Sequence, residues 1–225
     1  MDIIEAVKTR RSIRGFKKDP VPKEVLREIL EISCRAPSGS NSQPWEFAVV
    51  VGEALQTIKA GNVEMYRSVG GDPYAGRTSS GNSPESVYSK RSTEVMALVS
   101  DLIGMKRDDV EARKKWREKG VQYFGAPAAI FICVDRALPE VIPLIDIGIM
   151  IQTICLVALN YGLGTCIQGQ GVMYPKIVAE HAGIPRSKRI IMSIAIGYPD
   201  WDFPANAIVT PREPLDSITT WKGFE

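Results

Sequence analysis

The most apolar stretch of the chain, VIPLIDIGIMIQTICLVALNYGLG at residues 141–164, limits what the rest can fold into. Its segment 143–161 is long enough for a helix and is apolar nearly all round. Such a helix must be covered on most sides, at the centre of a core or at an interface between subunits. Pro143, Asp146, Gln152 and Asn160 interrupt the run, and a membrane span tolerates few such groups. A chain of 225 residues can supply the covering layers as one domain, 1–225.

Three short runs supply a sheet: EFAVVV (46–51), PAAIFICVD (127–135) and KRIIMSIAIGYP (188–199). They are rich in β-branched residues and too short for buried helices, so they read as central strands. Two amphipathic helices come first, over residues 2–9 with Ile3, Ile4 and Val7, and in VPKEVLREILEISCRAP with Val25, Leu26, Ile29, Leu30 and Ile32. Pro37 disfavours helix at Ala36, so the second should end near Cys34 or Arg35. PSGSNSQPW is then a loop. Between the first two strands lies an excursion at about 62–124, Gly-, Ser- and Pro-rich and then helical over roughly 86–104 and 108–122. Excursions of this length are usually functional. The tail from Trp201 carries Pro204, Pro211 and Pro214 and reads as an extended arm over a surface of its own or another subunit.

Six of the eleven residues 8–18, KTRRSIRGFKK, are basic, yet the whole chain has 28 Lys and Arg against 26 Asp and Glu. That balance argues against nucleic acid or another extended polyanion and makes any anion site local. Arg10, Arg11 and Arg14 allow two readings: cations at the carbonyl end of a helix, or guanidinium forks for a phosphate, with Ser12 as a hydroxyl donor. Cys34, Cys133, Cys155 and Cys166 form no CxxC pair and His181 is the one histidine, so no metal site or disulfide framework is expected. The free thiols and the charged opening MDIIEAVKTRR suggest a cytoplasmic protein without a secretory leader. GLGTCIQGQG (162–171) does not match GxGxxG, and no strand is expected before it, which disfavours a Rossmann site.

RRSIRGF, APSGSNSQPW, DIGIMIQTICLVALNYGLGTC and GYP…PREPLDSI, in that order, resemble the nitroreductase family of FMN-dependent flavoproteins over nearly the whole chain. The resemblance implies an α+β fold, a mainly antiparallel sheet flanked by helices, forming an intertwined homodimer with an extended C-terminal arm and two interfacial FMN sites. It implies that Arg10, Arg11, Ser12 and Arg14 hold the phosphate, ribityl chain and pyrimidine edge, with Arg212 joining at the phosphate. Pro37, Ser38, Gly39 and Asn41 would approach from the partner subunit, and Ile167, Gln168 and Gly169 would lie along the ring near N5. The implied chemistry is ping-pong: NADH or NADPH reduces FMN, which then passes two electrons to a nitroaromatic, quinone or similar flat small molecule. No catalytic side chain is then needed.

The excursion would be a lid over the acceptor. It holds Tyr66, Tyr74, Tyr88, Arg91, Arg107 and Trp116, of which Tyr88 and Arg91 are the substrate-binding candidates. Reductive dehalogenation and flavin cleavage occur on the same motifs. Gly169, where deiodinase-like members carry a hydroxyl residue, favours hydride chemistry. A non-catalytic flavin carrier or polyanion binder is the reading from another class. Cys166 reads as a small buried hydrophobe, and His181 as structural or solvated.

Overall fold

The predicted strands form in a computed structural model that describes residues 1–69, 83, 85–106 and 108–224; Tyr74 and Arg107 lie outside the described residues. They are β1 (Glu46–Val51), β2 (Ala128–Asp135) and β4 (Lys188–Gly197), with a further strand, β3 (Gly164–Gln168), between the last two in sequence. The sheet runs β1-β2-β4-β3, and every pairing is antiparallel. β2 is buried along all but its last residue, as its unbroken apolar composition requires. β3 was not predicted as a strand. GTCIQ is short and bounded by glycines, and its extended state comes from pairing with β4 rather than from local propensity.

Helices α1 (Ile3–Thr9), α2 (Lys23–Ser33), α3 (Gly52–Ser68), α4 (Val87–Leu102), α5 (Val110–Val121), α6 (Ile142–Leu159) and α7 (Pro175–His181) complete the described fold. Asp2 starts α1, its carboxylate accepting the N–H groups of Ile4 and Glu5 at 2.8 and 2.9 Å. α2 stops at Ser33 with Cys34 as its C-cap, close to the end near Cys34 or Arg35 expected from Pro37.

The period-two alternation of β2 divides the core. Ile130 and Ile132 face α2 and α6, meeting Leu26, Ile29, Ile147, Met150 and Ile154. Ala129 and Phe131 face α3, with Leu55, Ile58 and Val178 closing that side. Each fully buried Ile or Leu contributes about 1.5–3 kcal/mol, so this double-sided sheet is the stable frame. α4 and α5 depart from it and share a separate cluster of Val99, Met105, Trp116, Ala205 and Ile208.

α6 is covered on one side only. Ile147, Met150 and Ile154 are buried in its own core, while Leu144, Ile145 and Ile149 remain exposed, Ile145 by 71%. In the arm beyond it, Val209, Leu215, Ile218, Trp221 and Phe224 are also exposed. Among the described residues no helix is long and apolar enough to cross a membrane.

Candidate cofactor site

After α1 the chain runs along the free edge of β3. Ser12 bridges Thr165, the Ile13 N–H donates to the Thr165 carbonyl at 2.9 Å, and the Lys17 N–H donates to the Tyr198 carbonyl at 2.9 Å. Side chains alternate along an extended segment, which groups Arg10, Ser12 and Arg14 on one side and Arg11 and Ile13 on the other.

The electrostatics of the thiols beneath agree. Burial pushes the Cys166 thiol up to about 11, while the charges of Arg14 and Arg10 and a Ser12 hydrogen bond pull the other way. Burial also raises Cys155, against a Thr165 hydrogen bond and the Arg10 charge. Both thiols are protonated at neutral pH and offer no nucleophile. Arg11 stands apart from Arg10 and Arg14: its guanidinium lies 5.8 Å from the Trp201 ring centroid, beside a cavity of about 330 Å³ shared with Ile13, Leu163 and Pro199.

A residue that sequence reasoning missed fixes this strand. Asn206, fully buried in the turn Pro204–Ala207, accepts the N–H groups of Arg14 and Gly15 at 2.6 and 3.2 Å. Its amide nitrogen donates to the carbonyls of Gly15 and Asp200, both at 2.7 Å. One side chain thereby satisfies the backbone between the arginines and the sheet. A Cβ on Gly15 would overlap the Phe203 ring, so only glycine allows this approach. The motif RRSIRG pointed to the strand, but nothing in PANA marks its asparagine as the clamp.

At the far end of β3 the Gln168 side chain turns inward, 5% exposed. Its Nε2 donates to the Gly120 carbonyl at 3.2 Å, and its Oε1 has no partner. Ile167 and Gly169 face outward. The surface that this segment presents to solvent is therefore the Ile167 side chain and the backbone near Gly169.

The loop holding Pro37, Ser38, Gly39 and Asn41 is preorganised but open. Ser40, Asn41 and Gln43 adopt φ of 51°, 56° and 47°, which costs a non-glycine residue about 1–2 kcal/mol. The Ser38 hydroxyl accepts the Gln43 N–H at 3.0 Å, Asp146 on α6 accepts the Gly39 N–H at 3.2 Å, and buried Trp45 anchors the exit. Asp146, an anomaly in the apolar run, is explained by this contact.

The loop does not reach Arg10 and Arg14 within one chain. It enters the sheet at Glu46 on the β1 edge, whereas Thr165 lies on the opposite edge, in register through Ile196 and Ala128 with Val51. The separation is roughly 14 Å across three strand spacings and about 17 Å along the strands.

Arg212 is exposed, its Nη1 donating to the Thr210 carbonyl and hydroxyl at 3.0 and 2.7 Å. Tyr88 and Arg91 do meet: the Arg91 guanidinium is 5.8 Å from the Tyr88 ring centroid and pairs with Glu213 at 2.9 Å. Tyr66 and Trp116, from the same excursion, are buried.

These residues fit a flavin phosphate. Arg10, Arg14 and Arg212 have no acidic ion-pair partner among the described residues, and a dianion beside a guanidinium pair supplies the missing charge.

The architecture is shared with a known family. The Nitroreductase family profile matches residues 7–198. The chain is similar to a 4-nitrobenzoate reductase of Nocardioides sp. (strain LMS-CY), 31% identical over 96% of this chain and 87% of that one. It is 30% identical to a chloronitrobenzene nitroreductase of Comamonas testosteroni, over 97% of this chain and 96% of that one. Among solved structures, the FMN and NADPH-dependent nitroreductase NfnB from sphigopyxis sp. strain HMH superposes with a TM-score of 0.88 at 30% identity, covering 100% of both chains. The protein belongs to the nitroreductase family, and its α+β fold is the nitroreductase fold.

Proposed function

We propose that this protein is an FMN-dependent NAD(P)H oxidoreductase that reduces nitroaromatics, quinones or similar flat acceptors, and that it works as a homodimer. The observation that carries this reading is the pairing of Ser12 and Ile13 with Thr165. It sets Arg10, Ser12 and Arg14 along the strand that leads to Ile167 and Gly169. The named activities and cofactors of the relatives support the same reading.

Bound FMN would supply a ring that takes a hydride from NADH or NADPH and returns two electrons to an acceptor. The chain's own residues bind and orient. Arg10 and Arg14 neutralise the phosphate and the electron-rich pyrimidine edge, Ser12 donates to the ribityl chain, and Arg212 closes the phosphate end. Arg11, stacked on Trp201 in the lone chain, reaches the phosphate only by leaving that ring. Fixed cations and backbone donors at the pyrimidine stabilise the added negative charge without reorganising.

Residues 37–43 of a second copy complete the site, because the loop of the same chain stands at the opposite sheet edge. The uncovered faces of α6 and the arm from Val209 onward supply the contact between copies. Such a contact buries apolar groups that would otherwise meet water. Residues 62–124 act as the lid, with Tyr88 and Arg91 touching the acceptor. Arg91 is shared with Glu213, so an acidic acceptor has to compete for it. Four free thiols among the described residues support a cytoplasmic location. Gly169 lacks a hydroxyl, which favours hydride transfer over reductive dehalogenation.

The test is an anaerobic absorbance titration. The purified protein should be yellow, bleach on adding NADH or NADPH, and regain its colour when a nitroaromatic follows. A protein that stays colourless when FMN is supplied contradicts the flavoprotein reading. Bound FMN that neither nicotinamide reduces contradicts the proposed donor.

A further inference from the structure

Lid helix α5 ends in an unusual turn. Tyr123, Phe124 and Gly125 adopt φ of 57°, 50° and 79° in succession, and the first two are non-glycine residues in the left-handed region. Strain of this kind persists only where the surroundings over-determine it. Here Lys59, buried on α3, donates from Nζ to the Ala126 carbonyl at 2.8 Å. Asn62 on the same helix donates from Nδ2 to the Val121 carbonyl at 3.1 Å and to the Tyr123 hydroxyl at 3.3 Å. The Tyr123 ring is fully buried, edge-on to Phe131 at 5.8 Å.

The Tyr123 hydroxyl has its proton left to give, and it donates to the Gly171 carbonyl at 2.6 Å. Gly171 could not be another residue, because a Cβ there would overlap the Tyr123 ring and the Ser193 hydroxyl. The same segment is held twice more, by Gln168 Nε2 on the Gly120 carbonyl at 3.2 Å and by the Ser193 hydroxyl on the Gln168 carbonyl at 2.8 Å. Residues 168–171 are therefore clasped between the foot of the lid and β4.

We propose that Tyr123 is a positioning residue that fixes the backbone of residues 168–171, and so ties the foot of the lid to the strand end that faces the flavin ring. The inference rests on the flavoprotein reading above. Burial raises the phenol well beyond its ordinary range, which keeps it a neutral donor throughout the working pH. The clasp acts on the ring through backbone groups, since the Gln168 side chain is occupied beneath the strand.

The experiment compares Tyr123→Phe with Lys59→Met, purified with FMN. Phenylalanine retains the buried ring and leaves the Gly171 carbonyl unsatisfied, whereas Lys59→Met loosens the same turn without touching residues 168–171. Tyr123→Phe should weaken FMN binding roughly tenfold by flavin fluorescence titration and shift the flavin midpoint potential. Lys59→Met should lower Tm with both quantities unchanged. A folded Tyr123→Phe protein with wild-type FMN affinity and potential overturns the proposal, as do two variants that change both quantities equally. If the wild-type protein binds no FMN, the functional reading has failed first, and that result is distinct.

Discussion

The two halves of the proposed site are built in opposite ways. On the β3 edge, the strand from Arg10 to Phe16 is tied into its own protomer by backbone pairing to Thr165 and Pro199 and by the buried Asn206 clamp. On the β1 edge, the loop from Pro37 to Gln43 is shaped by Ser38 and Asp146 but presents its strained residues to solvent, as the arm presents its apolar ones. A closed half costs its protomer nothing to leave alone. In the proposed homodimer the open, preorganised half of one copy is laid against the closed half of the other.

Breaking the closed half should have the largest effect. Asn206→Ala leaves the N–H groups of Arg14 and Gly15 and the Asp200 carbonyl short of a partner, while the Gly15 carbonyl keeps the Asp200 N–H, and it should cost about 3–5 kcal/mol in denaturant unfolding and abolish FMN retention. Gly15→Ala forces Phe203 aside, and the same measurement should show a loss of about 1–3 kcal/mol. Opening the other half should be milder for the protomer. Asp146→Asn keeps the shape and weakens a charge-assisted bond to Gly39, costing about 1 kcal/mol. Its larger effect should be on FMN affinity, read by fluorescence, if the loop contacts the cofactor of a second copy.

The smallest effect belongs to a cluster outside both halves. Lys188 bridges Glu46 and Asp135 at the ends of three strands. The Asp135 carboxylate is held below its ordinary value by the Ala137 N–H and by Lys188. A carboxylate lowered in the folded state adds stability above its unfolded value near 3.9, and that stability is lost as pH falls through the folded value. Tm of the wild type should therefore fall on acidification below about pH 4, and Lys188→Met should flatten that part of the profile.

Much of the closed frame was legible in the sequence, because burial on both faces leaves long apolar runs. β2 announces itself this way, while β1, β4 and α6 carry apolar runs that the structure leaves partly uncovered. β3 does not: it is five residues long, with Gly164 and Gln168 of little strand preference at its ends, and pairing with β4 defines it. Of the site, Arg10, Arg11 and Arg14 were readable as a local cation cluster with Ser12 as a hydroxyl donor, and Arg10, Ser12 and Arg14 lie together over Cys166. The departure of Arg11 to Trp201 needed the strand alternation that only pairing establishes. Asn206 had no signal, since three of its four bonds are to backbone near the other end of the chain. The inward turn of Gln168 was equally hidden, because a glutamine in a glycine-rich stretch looks the same whether it faces a ligand or the Gly120 carbonyl.

The central claim is that each site joins the β3 edge of one chain to the loop at 37–43 of another, and complementation tests it directly. An Arg10→Ala, Arg14→Ala double variant would be denatured and refolded together with a Gly39→Asp variant, each alone unable to retain FMN. If sites are shared, every mixed dimer carries one doubly damaged site and one intact one, and about a quarter of all sites should regain FMN and nicotinamide-dependent reduction of a nitroaromatic. If each site is built from a single chain, every site in the mixture carries a lesion, and the absence of any recovery in refolded mixed dimers would contradict the account.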